Sequence, residues 1–274
     1  MNRMTVNGLL TGLAVGSAAV LCAAGAGAQE TQAEQPTPIA VADLPSVEEV
    51  MELHLDGIGG EDAVRAVTSR RFTGRVSVFV GGQEEPLQVG RLEMSAKAPD
   101  TLVQDMIFPG RNSARTIVQD GVVWQINDND EPEKADEAAA GRQRASARFY
   151  QLADWREMFT NTEVLGGVSQ GDRRAVQVGV THLDGRKEVY TFDLDSGLLL
   201  LIGGERPSPV NAAEIVPFRR AYEDYRDVEG VLYPHRVVEQ AGPVAFEILV
   251  NEIEVGVDVP TFEVPDFSET DTGE

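Results

Sequence analysis

Apolar and polar residues alternate in short runs along most of this chain, from about residue 72 to residue 255. The runs at 76–80, 90–94, 175–180 and 246–248 each place their apolar side chains on one face. Side chains point alternately to the two faces of a strand, so these runs predict an antiparallel sheet with one dry face and one wet face. A one-sided sheet of that length must curl around its own helices or around a ligand, which favours a binding function over a chemical one.

A helical pattern comes before the strands. Ser46 is placed to cap a helix, with Glu49 three residues later as its capping-box partner. An apolar stripe follows and ends at Gly57. After a glycine turn, residues 61–67 predict a second, short helix. Two helices therefore precede the sheet.

A third helix is predicted in the middle of the chain, over residues 142–159. Residues 127–141 before it are highly charged and predict a loop. The helix begins with Arg142, Arg144 and Arg148, which could meet an anionic headgroup or simply solvate the helix; we favour solvation. Its apolar residues could form a movable plug over the sheet or belong to an ordinary core.

Turn signals separate the predicted strands. Gly81-Gly82, Asp120-Gly121 and Gly197 after Asp195-Ser196 are typical of hairpins. No linker marks a second domain. The sequence therefore predicts a mainly β (α+β) fold, with residues 45–267 in a single domain.

The N-terminus has the features of a secretory signal. Arg3 supplies a positive charge, residues 9–24 are mostly apolar, and Ala26 and Ala28 provide the small residues for cleavage after Ala28. The prediction is a signal peptide over 1–28 and a periplasmic protein. Lipidation of Cys22 is the alternative, and the bulky residue before it disfavours that alternative. Residues 29–44 predict a flexible leader, and residues 268–274 predict a disordered acidic tail.

Composition narrows the range of partners. The chain has 45 acidic and 23 basic residues and a net charge of −22. So acidic a protein is unsuited to nucleic acid and to adsorption on anionic membranes. Cys22 is the single cysteine, so a chain cleaved after Ala28 has no disulfide and must be held by its core. No second long apolar stretch follows, and we expect a soluble mature chain that makes at most transient membrane contact.

Catalytic motifs are weak. The sequence Gly-Val-Ser-Gln-Gly at 167–171 fits a hydrolase elbow around Ser169, but that chemistry needs a helix after the serine, and an alternating strand follows. His54, His182 and His235 are too far apart in sequence for a metal motif. We therefore predict a protein that is not an enzyme, with no catalytic residue, no metal and no cofactor.

Several motifs together resemble a known family. Residues 54–63 (His-Leu-Asp-Gly-Ile-Gly-Gly-Glu-Asp-Ala), 97–100 and 120–124 are similar to the first half of the outer-membrane lipoprotein-sorting proteins, the LolA/LolB-like superfamily. Residues 191–199 and 222–234 resemble the second half, and 260–262 its closing residues. Each motif alone is a hairpin, but their order and spacing together are fairly specific.

The resemblance implies a strongly curved antiparallel sheet, an unclosed barrel of about eleven strands whose concave face is covered by helices. Members of this superfamily hold acyl chains of lipoproteins or other lipids in that hollow, and some sense envelope stress. The carrier itself holds its lid helix with one arginine, and no arginine of this sequence is singled out for that role. Burial of each acyl CH₂ contributes about 0.8 kcal/mol, which gives such binding a physical basis.

The function predicted first is a periplasmic, non-enzymatic binder or carrier of lipid or of a lipidated protein. The alternative is an envelope regulatory or assembly module whose sheet binds a protein partner. The residues predicted to line or plug the hollow are Phe72, Val76, Leu92, Met94, Trp124, Phe149, Trp155, Phe159, Tyr190 and Phe246.

Overall fold

In a computed structural model of the protein, the structure describes residues 37–110, 114–126, 132–170, 172–211 and 213–262. They form one antiparallel sheet of 14 strands in the order β1-β8-β9-β10-β11-β12-β13-β14-β2-β3-β4-β5-β6-β7. The strands are β1 (Thr37–Ile39), β2 (Ser69–Val80), β3 (Gln88–Lys97), β4 (Thr101–Ile107), β5 (Ala114–Gln119), β6 (Val122–Ile126), β7 (Pro132–Lys134), β8 (Phe159–Gln170), β9 (Arg173–His182), β10 (Lys187–Asp193), β11 (Leu199–Pro207), β12 (Ile215–Val228), β13 (Val231–Ala241) and β14 (Val244–Val255).

The sheet has two free edges, β1 and β7, and is an unclosed half-barrel. Its register fixes which side chains share a face. Phe72 on β2 pairs with Met94 on β3 and with Ile253 on β14, so these three side chains point to the same, concave face. The predicted fold class is confirmed, with 14 strands where about eleven were expected.

Within the described residues, four α-helices accompany the sheet: α1 (Val47–Gly57), α2 (Glu61–Ala66), α3 (Glu137–Ala147) and α4 (Trp155–Met158). The capping box predicted at the start of α1 is present: the backbone N–H of Ser46 donates to the Glu49 carboxylate at 2.7 Å, and the N–H of Glu49 donates to the Ser46 hydroxyl at 3.3 Å. In the part of the chain that the structure describes, no helix is long and apolar enough to cross a membrane.

The helices bury the concave face in two apolar clusters. The first joins α1 and α4 to strands β8 to β13, with Met51 and Phe192 among its most buried members. The second joins the ends of α3 to strands β2 to β6, β13 and β14, around Phe72, Phe149 and Tyr233. The clusters lie over different parts of the same sheet, so the concave face has two apolar regions.

The middle of the chain differs from the sequence-based expectation. The helix predicted over 142–159 is broken: α3 ends at Ala147, a 3₁₀ turn spans Gln151–Asp154, and α4 is a single turn that leads into β8. The break has a tertiary cause, since the N–H of Phe149 donates to the carbonyl of Pro99 at 2.9 Å and so ties the chain to the sheet. The region predicted as a loop, 127–141, contains β7 and the start of α3.

The N-terminal segment also differs. Residues 37–44, within the predicted flexible leader, form β1 and a 3₁₀ turn at Val41–Asp43. Strand β1 pairs with β8 from Thr37 opposite Ser169 to Ile39 opposite Gly167. The predicted signal peptide 1–28 with Cys22, the remainder of the leader at 29–36 and the acidic tail 268–274 lie outside the described residues.

Candidate ligand site on the concave face

Six of the ten residues predicted to line the hollow lie in the two apolar clusters. Phe72, Met94 and Phe149 belong to the second cluster, with Met94 partly exposed at its edge. The ring of Phe72 packs edge-on against Tyr233, with 5.9 Å between ring centroids. The concave face therefore carries an aromatic patch on β2 and β13 that the chain after α3 covers.

The other three lie in the first cluster. Phe159, at the start of β8, packs against Tyr190 with ring centroids 5.8 Å apart, and Tyr190 stacks on Phe192. Trp155 opens α4 and is only partly buried, with the guanidinium of Arg156 4.3 Å from its ring centroid. These aromatics lie at the far side of the face from Phe72.

The remaining predictions divide between the two faces. Val76 pairs with Gly90 and Ile248, Leu92 with Gly74 and Met106, and Phe246 with Val78, so all three share the concave face.

Trp124 does not. It pairs with Ile117, whereas its neighbour Val123 and the partner of Val123 belong to the concave cluster, so Trp124 points to the opposite face. There its ring lies 6.0 Å from Phe262 and 5.3 Å from the Lys134 ammonium.

Arg70 is a buried polar residue on the concave face that the sequence pattern did not single out. Its guanidinium lies among three rings, 4.3 Å from the centroid of Phe149, 5.5 Å from Phe72 and 5.7 Å from Tyr233. One Nη donates to the carbonyl of Phe149 at 3.2 Å, while the buried Nε has no hydrogen-bond partner among the described residues. Burial lowers the pKa of Arg70. The alternation of side chains along β2 could have indicated this position, because residues two apart on a strand share a face and Arg70 therefore points inward with Phe72.

A buried cation of this kind is costly. Burying a donor without a partner costs about 1–3 kcal/mol of solvation free energy, and more for a charged group. Attraction between the guanidinium and the aromatic rings offsets only part of this cost. The guanidinium is thus held between the sheet and the backbone that follows α3, with one donor left unused. The Nε–H remains able to donate a hydrogen bond to an oxygen acceptor.

A band of polar side chains lies on the concave face beside Phe159 and Tyr190 of the first apolar cluster. The ring nitrogen Nε2 of His182 lies 2.9 Å from the carboxylate of Glu188, to which Tyr190 donates its hydroxyl at 3.3 Å. Burial alone would raise the pKa of Glu188, but the His182 hydrogen bond and the Arg186 charge hold it below the ordinary value. On the neighbouring strands, Glu239 accepts from both Arg206 and Arg220. The charged and polar groups named in this band are therefore paired with one another.

The three arginines of the mid-chain helix have separate surroundings. Arg144 pairs with Glu137, and Arg148 lies 3.6 Å from Glu157. Arg142 has its pKa lowered by desolvation and by the nearby charges of Arg186 and Arg206. Two of the three are therefore in surface ion pairs, in keeping with the solvating role favoured from the sequence.

The C-terminal end of α1 is wedged into the sheet. His54 is buried against Phe192, with 5.3 Å between ring centroids. A Cβ added at Gly57 would overlap the carbonyl oxygen of Ser196, and one added at Gly197 would overlap that of Leu53. Only glycine allows this approach, which explains why the helix and the β10–β11 turn carry glycine at these two positions.

Ser169 lies in a strand of a hairpin and not at a strand-to-helix turn. It lies within β8, opposite Thr37 and Arg174, and β9 begins at Arg173. The strand-to-helix turn of a nucleophile elbow is therefore replaced by a hairpin, as the sequence indicated. Among the described residues, no three or more His, Cys, Asp or Glu side chains are grouped to hold a metal ion.

The sequence matches no family model and no curated protein, whereas several solved structures share its fold. A LolA superfamily protein from Nitrosomonas europaea aligns with a TM-score of 0.55 at 12% identity, over 79% of this chain and 96% of that one. A DUF1329 family protein from Desulfovibrio piger gives 0.55 at 10% identity, over 78% and 95% of the two chains.

A putative outer membrane lipoprotein-sorting protein domain from Vibrio parahaemolyticus gives a TM-score of 0.52 at 10% identity, over 78% of this chain and 94% of that domain. At such identities the likeness establishes the fold alone. The chain has the LolA-like fold that its motifs resemble, and its site residues must be argued from its own geometry.

Proposed function

We propose that this LolA-like half-barrel is a non-enzymatic carrier that binds lipid, or the acyl chains of a lipidated protein, against its concave face. The observation that carries the proposal is Arg70, a buried cation that joins the sheet to the backbone after α3 through one hydrogen bond and three aromatic rings. An unsatisfied buried donor in a native protein calls for a functional explanation. The explanation proposed here is that residues 137–158 form a cover over the concave face, which is released when an acyl chain enters.

The two apolar clusters show what an acyl chain must displace in order to bind. In this structure the side chains of the cover occupy the concave face, so an acyl chain enters only by displacing Phe149 and its neighbours. A sixteen-carbon chain offers on the order of 10 kcal/mol of apolar burial, at about 0.8 kcal/mol per CH₂. That exceeds the cost of separating a few aromatic contacts and one charged hydrogen bond, which is about 1.5–3 kcal/mol for the bond.

In the proposed mechanism, Arg70 is a latch. In the empty protein it holds the carbonyl of Phe149; in the loaded protein the cover is displaced, this hydrogen bond is broken and the guanidinium meets water. Trp155, partly exposed at the start of α4, moves with the same segment. The cover would thus exchange its own contacts with the sheet for those of the ligand.

Mass spectrometry of the organic extract of protein purified from its native envelope tests the proposal. We expect a co-purified lipid, and we expect Met94→Gln on the concave face to retain less of it. The matched control is Leu165→Gln, which changes a side chain that is 46% exposed on the other face and should retain the same amount. Absence of lipid, together with no binding of a fluorescent sixteen-carbon fatty acid, would overturn the carrier.

Export belongs to the same proposal. We expect a periplasmic protein whose mature N-terminus is Gln29, because Ala26 and Ala28 are the small residues before it. N-terminal sequencing of the envelope protein checks this. A diacylated Cys22 would instead make it a membrane-anchored protein.

A further inference from the structure

A groove runs beside the first half of β8. It has a volume of about 380 Å³ and is open to solvent. The residues that line it come from α4 and from the start of β8: Trp155, Arg156, Phe159, Thr160, Asn161 and Thr162. Thr160 and Asn161 are exposed, and the indole of Trp155 is only partly covered. The groove lies at the edge of the sheet, beside the first apolar cluster, to which Phe159 and Trp155 belong.

The same stretch of β8 has an unpaired edge. Strand β1 covers β8 only from Gly167 to Ser169, and the residues after Ile39 turn away into the 3₁₀ turn at Val41–Asp43. Register irregularities in the pairing of β8 with β9 lie at Phe159/Asn161 and at Val164/Gly166. Between them, 161–164 pair regularly with β9 on one side. In the described part of the chain no strand pairs with them on the other, so alternate N–H and C=O groups are available there.

Among the described residues, this edge carries one unpaired carboxylate. Glu163 on β8 is exposed and has no ion-pair partner among the described residues. Glu157 on α4 and Glu48 on α1 are also exposed, with 74% and 60% of their side chains accessible, and they pair with Arg148 and Arg156. The chain as a whole carries −22, and its last residues are acidic too. An occupant of complementary charge must therefore be basic and come from another molecule.

From the open edge, the groove and the charge, we propose that an extended, lysine-bearing segment of a partner protein adds to the sheet as a strand beside 161–164 of β8. Main-chain hydrogen bonds to β8 would provide most of the affinity, as in other cases of strand addition. An apolar side chain of the segment would cover the exposed part of Trp155, and a lysine would meet Glu163.

The test uses a synthetic probe, the capped peptide Lys-Val-Thr-Val-Lys-Val-Thr-Lys, added to the full mature chain labelled with ¹⁵N. We expect amide shifts and slowed hydrogen exchange confined to Asn161–Val164 and the Trp155 indole. Methylating alternate backbone nitrogens of the peptide removes the donors of one edge at a time. One of the two methylated peptides should lose binding at least tenfold, and the other should retain it.

Two charge reversals separate the site from the general charge of the protein. Glu163→Lys should weaken peptide binding about fivefold, in the range of exposed ion pairs. Glu84→Lys, in the distant β2–β3 hairpin, makes the same change in net charge and should weaken it less than twofold. Thermal unfolding verifies that both variants are folded.

Three results would overturn the proposal. Equal binding of both methylated peptides would exclude strand addition. Shifts at Phe72 or Tyr233, in the second apolar cluster of the concave face, would place the peptide in the hollow. Loss of the β1 pairing at Thr37–Ile39 would mean that the peptide replaces β1. None of the three bears on lipid retention, which is measured separately by extraction, so failure here leaves the carrier function to its own test.

Discussion

His54 on α1 and Gly197 in the β10–β11 turn are joined by a hydrogen bond, with 2.9 Å between Nδ1 of the ring and the carbonyl oxygen. The nitrogen donates, since the carbonyl can only accept. Burial lowers the pKa of His54 below its ordinary 6.5, and the bond to Gly197 opposes that shift only in part. The bond fixes the end of α1 to a turn 143 residues away in sequence.

This bond predicts a pH-dependent stability. A histidine whose pKa is lowered by folding takes up its proton more readily in the unfolded chain, so stability is retained above pH 6.5 and falls as the pH drops towards the native pKa. Denaturant unfolding between pH 8 and pH 5 measures the fall. His54→Asn keeps a donor for Gly197 but cannot titrate, and its stability should fall less over this range. Parallel curves for the two proteins would contradict the prediction.

Gly57→Ala should destabilise the fold. In a helix without steric conflict, this change stabilises by up to about 1 kcal/mol, because alanine is the better helix former. Here the new methyl group would overlap the carbonyl of Ser196, so α1 or the turn must move, at an expected cost of about 2–3 kcal/mol. Glu52→Ala on the exposed side of α1 is the control, within about 0.5 kcal/mol. A more stable Gly57→Ala protein would contradict the packing of α1 against this turn.

Arg70→Met should raise lipid affinity. The variant keeps the apolar stem but loses the hydrogen bond to Phe149, which the proposed mechanism places only in the empty protein. Removing an interaction made only in the empty state shifts the equilibrium towards the loaded one. A charged hydrogen bond contributes about 1.5–3 kcal/mol, so affinity should rise about tenfold or more, with slower release.

Titration with a fluorescent fatty acid measures that affinity, and hydrogen exchange reports on the cover. We expect faster exchange at 137–158 and unchanged exchange in β9 and β10. Arg144→Met, which removes a surface ion pair with Glu137 on the same segment, is the control and should leave affinity unchanged. Weaker lipid binding by Arg70→Met would show that Arg70 holds the ligand and not the cover.

The two tryptophans should respond differently to lipid. Trp155 lies at the start of α4, whereas Trp124 is on the opposite face against Phe262. In a Trp124→Phe protein, a long-chain lipid should shift the emission saturably, and each CH₂ removed from the chain should weaken binding about fourfold. A Trp155→Phe protein, which reports on Trp124, is the control and should show almost no shift. If lipid shifted the emission of the Trp155→Phe protein more than that of the Trp124→Phe protein, the ligand would lie on the face opposite the concave one.

Ser169→Ala should leave lipid binding unchanged and alter stability by about 1 kcal/mol or less, the net contribution of a single hydrogen bond. The serine lies in β8, opposite Thr37 of β1 and Arg174 of β9, and belongs to neither apolar cluster. Fluorescent fatty acid titration and denaturant unfolding measure the two quantities. A folded variant that lost its biological activity would restore a hydrolase as a hypothesis.

The local order of the elements was predictable from the chain alone. Alternation of side chains predicted the antiparallel sheet and its dry face, and the Ser46–Glu49 pair predicted the capping box at the start of α1, because both depend on neighbours in sequence. The hairpin after Ser169 was predictable for the same reason. The order of motifs further indicated a LolA-like fold, which the solved structures confirm.

Contacts between distant segments decided the rest. The predicted helix at 142–159 is broken because Phe149 bonds to Pro99, and the leader gains β1 because the edge of β8 is free to pair with it. The two faces of β6 could not be assigned locally, since Trp124 and Val123 are both apolar and only the register with β5 distinguishes them. Arg70 is a surface-type residue by composition, and only the aromatic rings brought around it by β13 and the chain after α3 make it a buried cation.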